Sequence, residues 1–124
     1  MLRALSVEDD RFFREAFKAS LHERLPFVVI EEAGSGAEVR QGINGAPPDL
    51  IFTDMPLAGM NGLELAKKMK KDFPGIRIAM LTGYDFPEYR RATSQQGVDR
   101  FFVKDSLDGK EIEEFVQYLP KDNR

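Results

Sequence analysis

Short apolar runs alternate with amphipathic stretches about five times along the chain. The runs are nearly continuous in Val, Ile, Leu and Phe, and they lie at residues 2–7, 27–30, 50–53, 76–81 and 101–103. Continuous apolar runs of this length are typical of parallel strands that are covered on both faces. The pattern therefore predicts a parallel sheet that lies between two layers of helices.

The stretches between these runs have helical spacing. The residues that share a face are Phe13, Phe17 and Leu21 in the first, with Ala16 beside them; Val39 and Ile43 in the second; Leu65, Ala66, Met69 and Phe73 in the third; Tyr89, Ala92, Thr93 and Gln96 in the fourth; and Ile112, Phe115, Val116 and Leu119 in the fifth. Ser35 is placed to cap the second helix. Five strand–helix units predict one doubly wound α/β domain over residues 1–119, followed by a polar tail or the start of a linker at 120–124.

Composition narrows the class of protein. The 124 residues suit a single compact domain, and 18 basic against 21 acidic residues give a net charge of −3. This balance argues against nucleic-acid or membrane binding through bulk charge. The absence of cysteine excludes disulfides and thiolate metal sites. The apolar start at 2–7 is too short for a signal peptide, so we expect a cytoplasmic location.

Polar residues directly follow four of the five predicted strands. They are Glu8, Asp9 and Asp10 after the first run, Asp54 after the third, Thr82 after the fourth and Lys104 after the fifth. Ligands of open α/β sheets bind at this edge, so these side chains should converge. Carboxylates without His or Cys favour Mg²⁺, and a carboxylate beside the ion can become an aspartyl phosphate. Lys104 and Thr82 would then interact with the phosphoryl oxygens.

Four segments resemble, in order, the motifs of two-component response regulator receiver domains. They are the acidic segment 7–15, the strand and loop 49–64, Leu81-Thr82-Gly83, and the segment 97–105. They are spread along most of the chain, from residue 7 to residue 105. The resemblance implies a flavodoxin-like sheet of five parallel strands in the order 2-1-3-4-5.

The resemblance also implies a role for each matching residue. Asp54 would be the phosphoacceptor, and Lys104 would bind the phosphoryl group. Mg²⁺ would be held directly by Asp9, through water by Glu8, and by the backbone carbonyl of Pro56 beside Asp54. Thr82 and Phe101 would form the switch pair. Asp10 is left outside the metal set. The receiver would catalyse only its own phosphorylation and dephosphorylation, and it would not act as an enzyme on a separate substrate.

The resemblance further implies the partners. A histidine kinase or a phosphotransfer protein would donate the phosphoryl group. An unidentified output protein or domain would read the face formed by the fourth helix, the fifth strand and the fifth helix. The chain would be a monomer or a phosphorylation-dependent dimer, with no direct contact to nucleic acid or membrane.

Several positions depart from the family pattern. Ala58 replaces a proline of the loop, and Asp105 replaces the proline after the lysine, so a cis peptide is not expected there. Phe101 lacks a hydroxyl group. We hypothesise that Tyr84 shields the phosphoryl group and alters its lifetime, which a comparison with Tyr84→Ala would test.

Three other functions stay open at this point. A degenerate receiver would bind partners without phosphorylation. A haloacid-dehalogenase-type phosphohydrolase would need a second aspartate two residues after its nucleophile, where Pro56 stands. A flavin protein of this fold would carry a Ser/Thr-rich phosphate loop after the first strand, and this chain has none there.

Single residues also have structural explanations. Asp9 or Asp10 can cap the first helix, and His22 suits a solvated helix position. The basic residues of 67–71 suit a solvated face near a helix end, with Met69 in the core. Phe12 and Phe13 are expected in the core, or in the core and its rim.

Overall fold

The computed structural model describes residues 2–35, 38–39, 47–55, 61–83 and 85–117. The strands are β1 (Leu2–Val7), β2 (Val28–Ala33), β3 (Leu50–Thr53), β4 (Arg77–Thr82) and β5 (Arg100–Val103). The helices are α1 (Arg11–Arg24), α2 (Gly62–Asp72), α3 (Pro87–Gln95) and α4 (Gly109–Gln117), with a short 3₁₀ turn at Lys104–Ser106.

These helices correspond to the first, third, fourth and fifth predicted ones. Of the second, Glu38 and Val39 are helical, and the Glu38 amide donates to Ser35 Oγ at 3.3 Å, which confirms the predicted cap. Ile43, Leu119 and the tail 120–124 lie outside the described residues. No described helix has both the length and the apolar character needed to cross a membrane.

The sheet is parallel, in the order β2-β1-β3-β4-β5, as predicted. Its register aligns the strand ends, since Val7 pairs with Thr53 across β1 and β3. The residues that follow these two strands, Glu8 and Asp54, therefore leave the sheet side by side. They do so between β1 and β3, where the strand order reverses and ligands of this architecture bind.

The bounds of β2 differ from those expected. The apolar run began at Phe27, but Phe27 is 56% exposed and the strand continues through Glu31 and Glu32 to Ala33. Because β2 is at the sheet edge, part of it faces solvent and tolerates polar residues. Its continuous apolar portion is accordingly shorter than the strand itself.

The core has one cluster on each face of the sheet. On one face, α1 and α4 pack over Phe52, whose ring lies 5.1 Å from that of Phe17 and 6.1 Å from that of Phe115. On the other face, α2 covers Ile51, the residue before Phe52 in β3, with the buried side chains of Leu65, Ala66 and Met69. Successive β3 residues thus face opposite helical layers, which explains the continuous apolar run.

The basic run on α2 is a solvated face with one structural lysine. Lys67, Lys68 and Lys71 are exposed, and Met69 is buried in the core, as expected. Lys70 Nζ lies 2.6 Å from the Ile76 carbonyl oxygen and 3.1 Å from Asp99 Oδ2. Lys70 therefore links α2 to the segments around β4 and β5.

Candidate functional site

Three carboxylates meet at the ends of β1 and β3. Glu8, Asp9 and Asp54 each offer an oxygen atom within 4.8 Å of the others. Glu8 and Asp54 are only 3% and 6% exposed, whereas Asp9 is exposed. The expected convergence of the first and third strand ends is confirmed.

Lys104 extends from the end of β5 to the same place. Its Nζ lies 2.6 Å from Glu8 Oε1 and 2.8 Å from Asp54 Oδ2. β4 separates β5 from β3, and both β4 and β3 separate β5 from β1, so the contacts with Asp54 and Glu8 span one and two intervening strands. The same Nζ also lies 4.4 Å from the centroid of the Phe13 ring.

Each oxygen of the two buried carboxylates accepts a hydrogen bond. Glu8 Oε2 accepts from the Asp10 amide at 3.0 Å, and Asp54 Oδ1 accepts from the Met55 amide at 2.7 Å. Lys104 occupies the other oxygen of each. A carboxylate oxygen has a second lone pair, so these contacts leave acceptor capacity for a further cation or proton donor.

Burial and hydrogen bonding act in opposite directions on the pKa values of Glu8 and Lys104. Burial raises the pKa of Glu8 above its ordinary value, although hydrogen bonds from Lys104 and the Asp10 amide act in the opposite direction. For Lys104, burial alone would lower the pKa, but hydrogen bonds to Asp54 and Glu8 outweigh it and the pKa is raised. One ammonium thus faces three carboxylates. This excess negative charge, carried by oxygen ligands alone, fits Mg²⁺.

The predicted switch residues lie on neighbouring strands at the same side of the sheet. Thr82 is the last residue of β4 and is fully buried, beside the end of β5. Phe101 in β5 is half-buried, and the Arg90 guanidinium lies 4.6 Å from its ring centroid. Arg90 is itself held by Asp85, with Nε 2.6 Å from Oδ1. Sequence reasoning missed Arg90, because no motif marks it.

Other expected residues lie as follows. Asp10 caps α1 and accepts from the amides of Phe12 and Phe13, which confirms one of the two proposed caps. His22 is exposed in the last turn of α1, as expected. The peptide bond before Asp105 is trans. Pro56, Ala58 and Tyr84 lie outside the described residues, so their roles stay predictions.

The expectation for Phe12 is wrong. Its side chain is 85% exposed, whereas Phe13 is partly buried against the core. The cap at Asp10 sets the start of α1, so Phe13, Phe17 and Leu21 form the inward stripe four residues apart. Phe12 then points about 100° away from that stripe, into solvent.

The family match and two of the most similar relatives point to the same family. The chain matches the response regulator receiver domain family over residues 4–117. It is 32% identical over 105 residues to response regulator protein VraR of Staphylococcus saprophyticus, covering 83% of this chain and 49% of the relative. It is 30% identical over 118 residues to VraR of Staphylococcus aureus, covering 94% and 55%. The chain spans about half the length of these curated relatives.

Solved structures agree with this match. Response regulator protein TrrA from Thermotoga maritima, in complex with Mg²⁺-BeF, is 31% identical with a TM-score of 0.82, covering 97% of this chain and 100% of that one. A CheY-like receiver domain protein from Methanospirillum hungatei is 26% identical with a TM-score of 0.83, covering 94% and 91%.

Proposed function

The chain belongs to the response regulator receiver domain family of two-component systems, and from this premise we propose that it accepts a phosphoryl group on Asp54 with Mg²⁺ bound beside it. The observation that carries the proposal is the position of Lys104 Nζ, 2.8 Å from Asp54 Oδ2 and 2.6 Å from Glu8 Oε1. A buried carboxylate, a fixed ammonium and two further carboxylates form the set of groups that phosphoryl transfer to aspartate requires.

The proposed reaction uses these residues as follows. An oxygen of Asp54 forms a bond to phosphorus while the bond from phosphorus to the donor nitrogen breaks, and the nitrogen leaves with the electron pair. Lys104 offsets the charge on the phosphoryl oxygens, and the Thr82 hydroxyl donates a hydrogen bond to them. Asp9, Asp54, the Pro56 carbonyl and, through water, Glu8 would hold Mg²⁺, which supplies further positive charge at the oxygens.

The proposed output is a change of packing. The phosphoryl group biases an equilibrium in which Thr82 moves inward and Phe101 follows, altering the face formed by α3, β5 and α4. A histidine kinase or phosphotransfer protein is the proposed donor, and another protein or domain binds the altered face. The domain bounds 1–119, the monomer or phosphorylation-dependent dimer and the cytoplasmic location remain predictions.

The test is a mass measurement on the intact chain. With Mg²⁺ and a small phosphodonor, we expect a gain of one phosphoryl group, and with the metal chelated we expect none. Borohydride reduces an acyl phosphate to an alcohol, so peptide sequencing after reduction should place the modification at Asp54. Some receivers accept only from a protein donor, so a phosphorylated histidine kinase is the second donor in this assay.

The same assay separates the rival functions. Failure to label with either donor would favour the degenerate receiver. Sustained release of phosphate from small phosphoesters would favour a phosphohydrolase, but Pro56 stands where that class places its acid–base aspartate. A receiver should show no such turnover.

Mg²⁺ should stabilise the chain through Asp9. A ligand that binds only the folded state raises the free energy of unfolding by about 2.7 kcal/mol when its concentration is a hundred times its dissociation constant. We expect a rise of this size from Mg²⁺ bound at the carboxylate cluster. Asp9→Asn should remove most of this rise, because the exposed Asp9 offers an oxygen to the cluster. Thermal unfolding with and without Mg²⁺ measures the effect.

The matched control is Asp10→Asn. Asn caps a helix about as well as Asp, so this variant removes a neighbouring charge and keeps the cap. It should retain the Mg²⁺-dependent rise in stability. An equal loss in both variants would indicate a general charge effect, not a ligand role for Asp9.

Arg90→Gln should change the resting position of Phe101. Arg90 covers the ring at 4.6 Å, and such a contact contributes about 0.5–1 kcal/mol at an exposed site. Without the Arg90 contact, the exposed position of the Phe101 ring loses this stabilisation. The population of molecules with the ring turned inward should therefore rise roughly two- to fivefold. NMR shifts of the Phe101 ring report this, with Arg91→Gln, a change at the adjacent exposed arginine, as the control. Equal shifts in both variants would argue against a specific contact.

A further inference from the structure

The Lys104 ammonium has a third partner besides its two carboxylates. Its Nζ lies 4.4 Å from the centroid of the Phe13 ring. An ammonium over a ring face within about 6 Å is attracted by the electron density of that face. Phe13 is well anchored, since its ring stacks on that of Phe17 at 5.7 Å, and Phe17 contacts Phe52 in the core.

The carboxylate partners of Lys104 are the same ones that the proposed Mg²⁺ site uses. Glu8 and Asp54 hold the ammonium at 2.6 and 2.8 Å, and they also belong to the carboxylate cluster. A divalent cation in that cluster competes for their negative charge and repels the ammonium. The Phe13 ring is a neutral partner, and a hard cation with oxygen ligands does not compete for it.

We propose that Phe13 is a positioning residue for phosphoryl transfer, whose ring holds the Lys104 ammonium beside Asp54 while a divalent cation occupies the carboxylate cluster. This inference rests on the proposed function of the site. It gives Phe13 a role beyond packing against the core. A purely structural role would require an apolar side chain of similar size, and the electron density of the ring would then be irrelevant.

The test changes that electron density and leaves the shape nearly constant. Phenylalanines with one, two and three ring fluorines are introduced at position 13 alone, because the chain has ten phenylalanines and global labelling would alter all of them. At saturating Mg²⁺, the initial rate of phosphoryl incorporation should fall stepwise with each fluorine, by roughly three- to tenfold over the series. The same analogues at the exposed Phe12 should leave the rate unchanged.

A second readout does not depend on phosphorylation. Protons on the Lys104 methylene next to Nζ should resonate upfield because of the ring current of Phe13. This shift should persist when Mg²⁺ is added and should vanish in Phe13→Leu. Thermal unfolding of every variant shows whether the fold is retained.

The outcomes separate the two claims. A rate that is the same across the Phe13 series, or an upfield shift that disappears on adding Mg²⁺, would overturn the positioning role. If the wild type takes up no phosphoryl group from either donor, the proposed function fails instead, and the Lys104 shift still decides whether the ring holds the ammonium.

Discussion

Asp54→Asn is expected to abolish phosphoryl incorporation and, in the same variant, to stabilise the metal-free protein. The amide has the shape of the carboxylate but is not a nucleophile towards phosphorus. In the absence of a divalent cation, the Asp54 carboxylate is attracted by the Lys104 ammonium at 2.8 Å. It is repelled by the carboxylates of Glu8 and Asp9, whose oxygens lie within 4.8 Å. Asp54 is also buried, so its charge carries a desolvation cost.

The expected gain in unfolding free energy is about 1 kcal/mol in chelator, since two repulsions and desolvation together exceed one ion pair. Mg²⁺ should then stabilise this variant less than the wild type, because one carboxylate ligand is gone. Intact mass measures the first effect and denaturant unfolding the second. Residual labelling of Asp54→Asn would indicate another acceptor. A loss of stability in chelator would show that the Lys104 ion pair outweighs the repulsion.

The positions of the acidic residues were predictable from the sequence because of how parallel strands end. Glu8, Asp9 and Asp54 directly follow continuous apolar runs, and neighbouring parallel strands bring their carboxyl ends to one edge. No side-chain contact had to be known for this argument. The same logic placed Thr82, which ends β4 as a fully buried residue.

Contacts that depend on how far a side chain reaches were not predictable. Lys104 was expected near Asp54, but its equally close contact with Glu8 depends on the path of the lysine across the ends of β4 and β3. Arg90 over Phe101 joins a helix to a strand without any motif. The exposure of Phe12, by contrast, follows from the stripe of Phe13, Phe17 and Leu21, because Phe12 lies about 100° away from it on the helix.

Gly62→Ala is expected to destabilise the fold and damage the site together. Gly62 begins α2 against the backbone of Asp54, the proposed phosphoacceptor, and its amide donates to the Met55 carbonyl at 2.5 Å. A Cβ at this position would overlap the carbonyl oxygen of Asp54 and would lie 2.7 Å from its carbonyl carbon. These are backbone atoms, so no side-chain rotation relieves the overlap. We expect a loss of about 3 kcal/mol of unfolding free energy.

Gly83→Ala is the matched control, because a Cβ there has no atom within 4 Å and the backbone φ is not positive. It follows β4 directly, as Asp54 follows β3, so it tests the same edge of the sheet without the overlap. Its stability should stay within about 1 kcal/mol of the wild type, because the only expected effect is a lower conformational entropy of the unfolded chain. Denaturant unfolding of both variants measures the contrast. If Gly62→Ala is as stable as Gly83→Ala, α2 can move away from β3 at little cost, and the Asp54 backbone is not fixed by this helix.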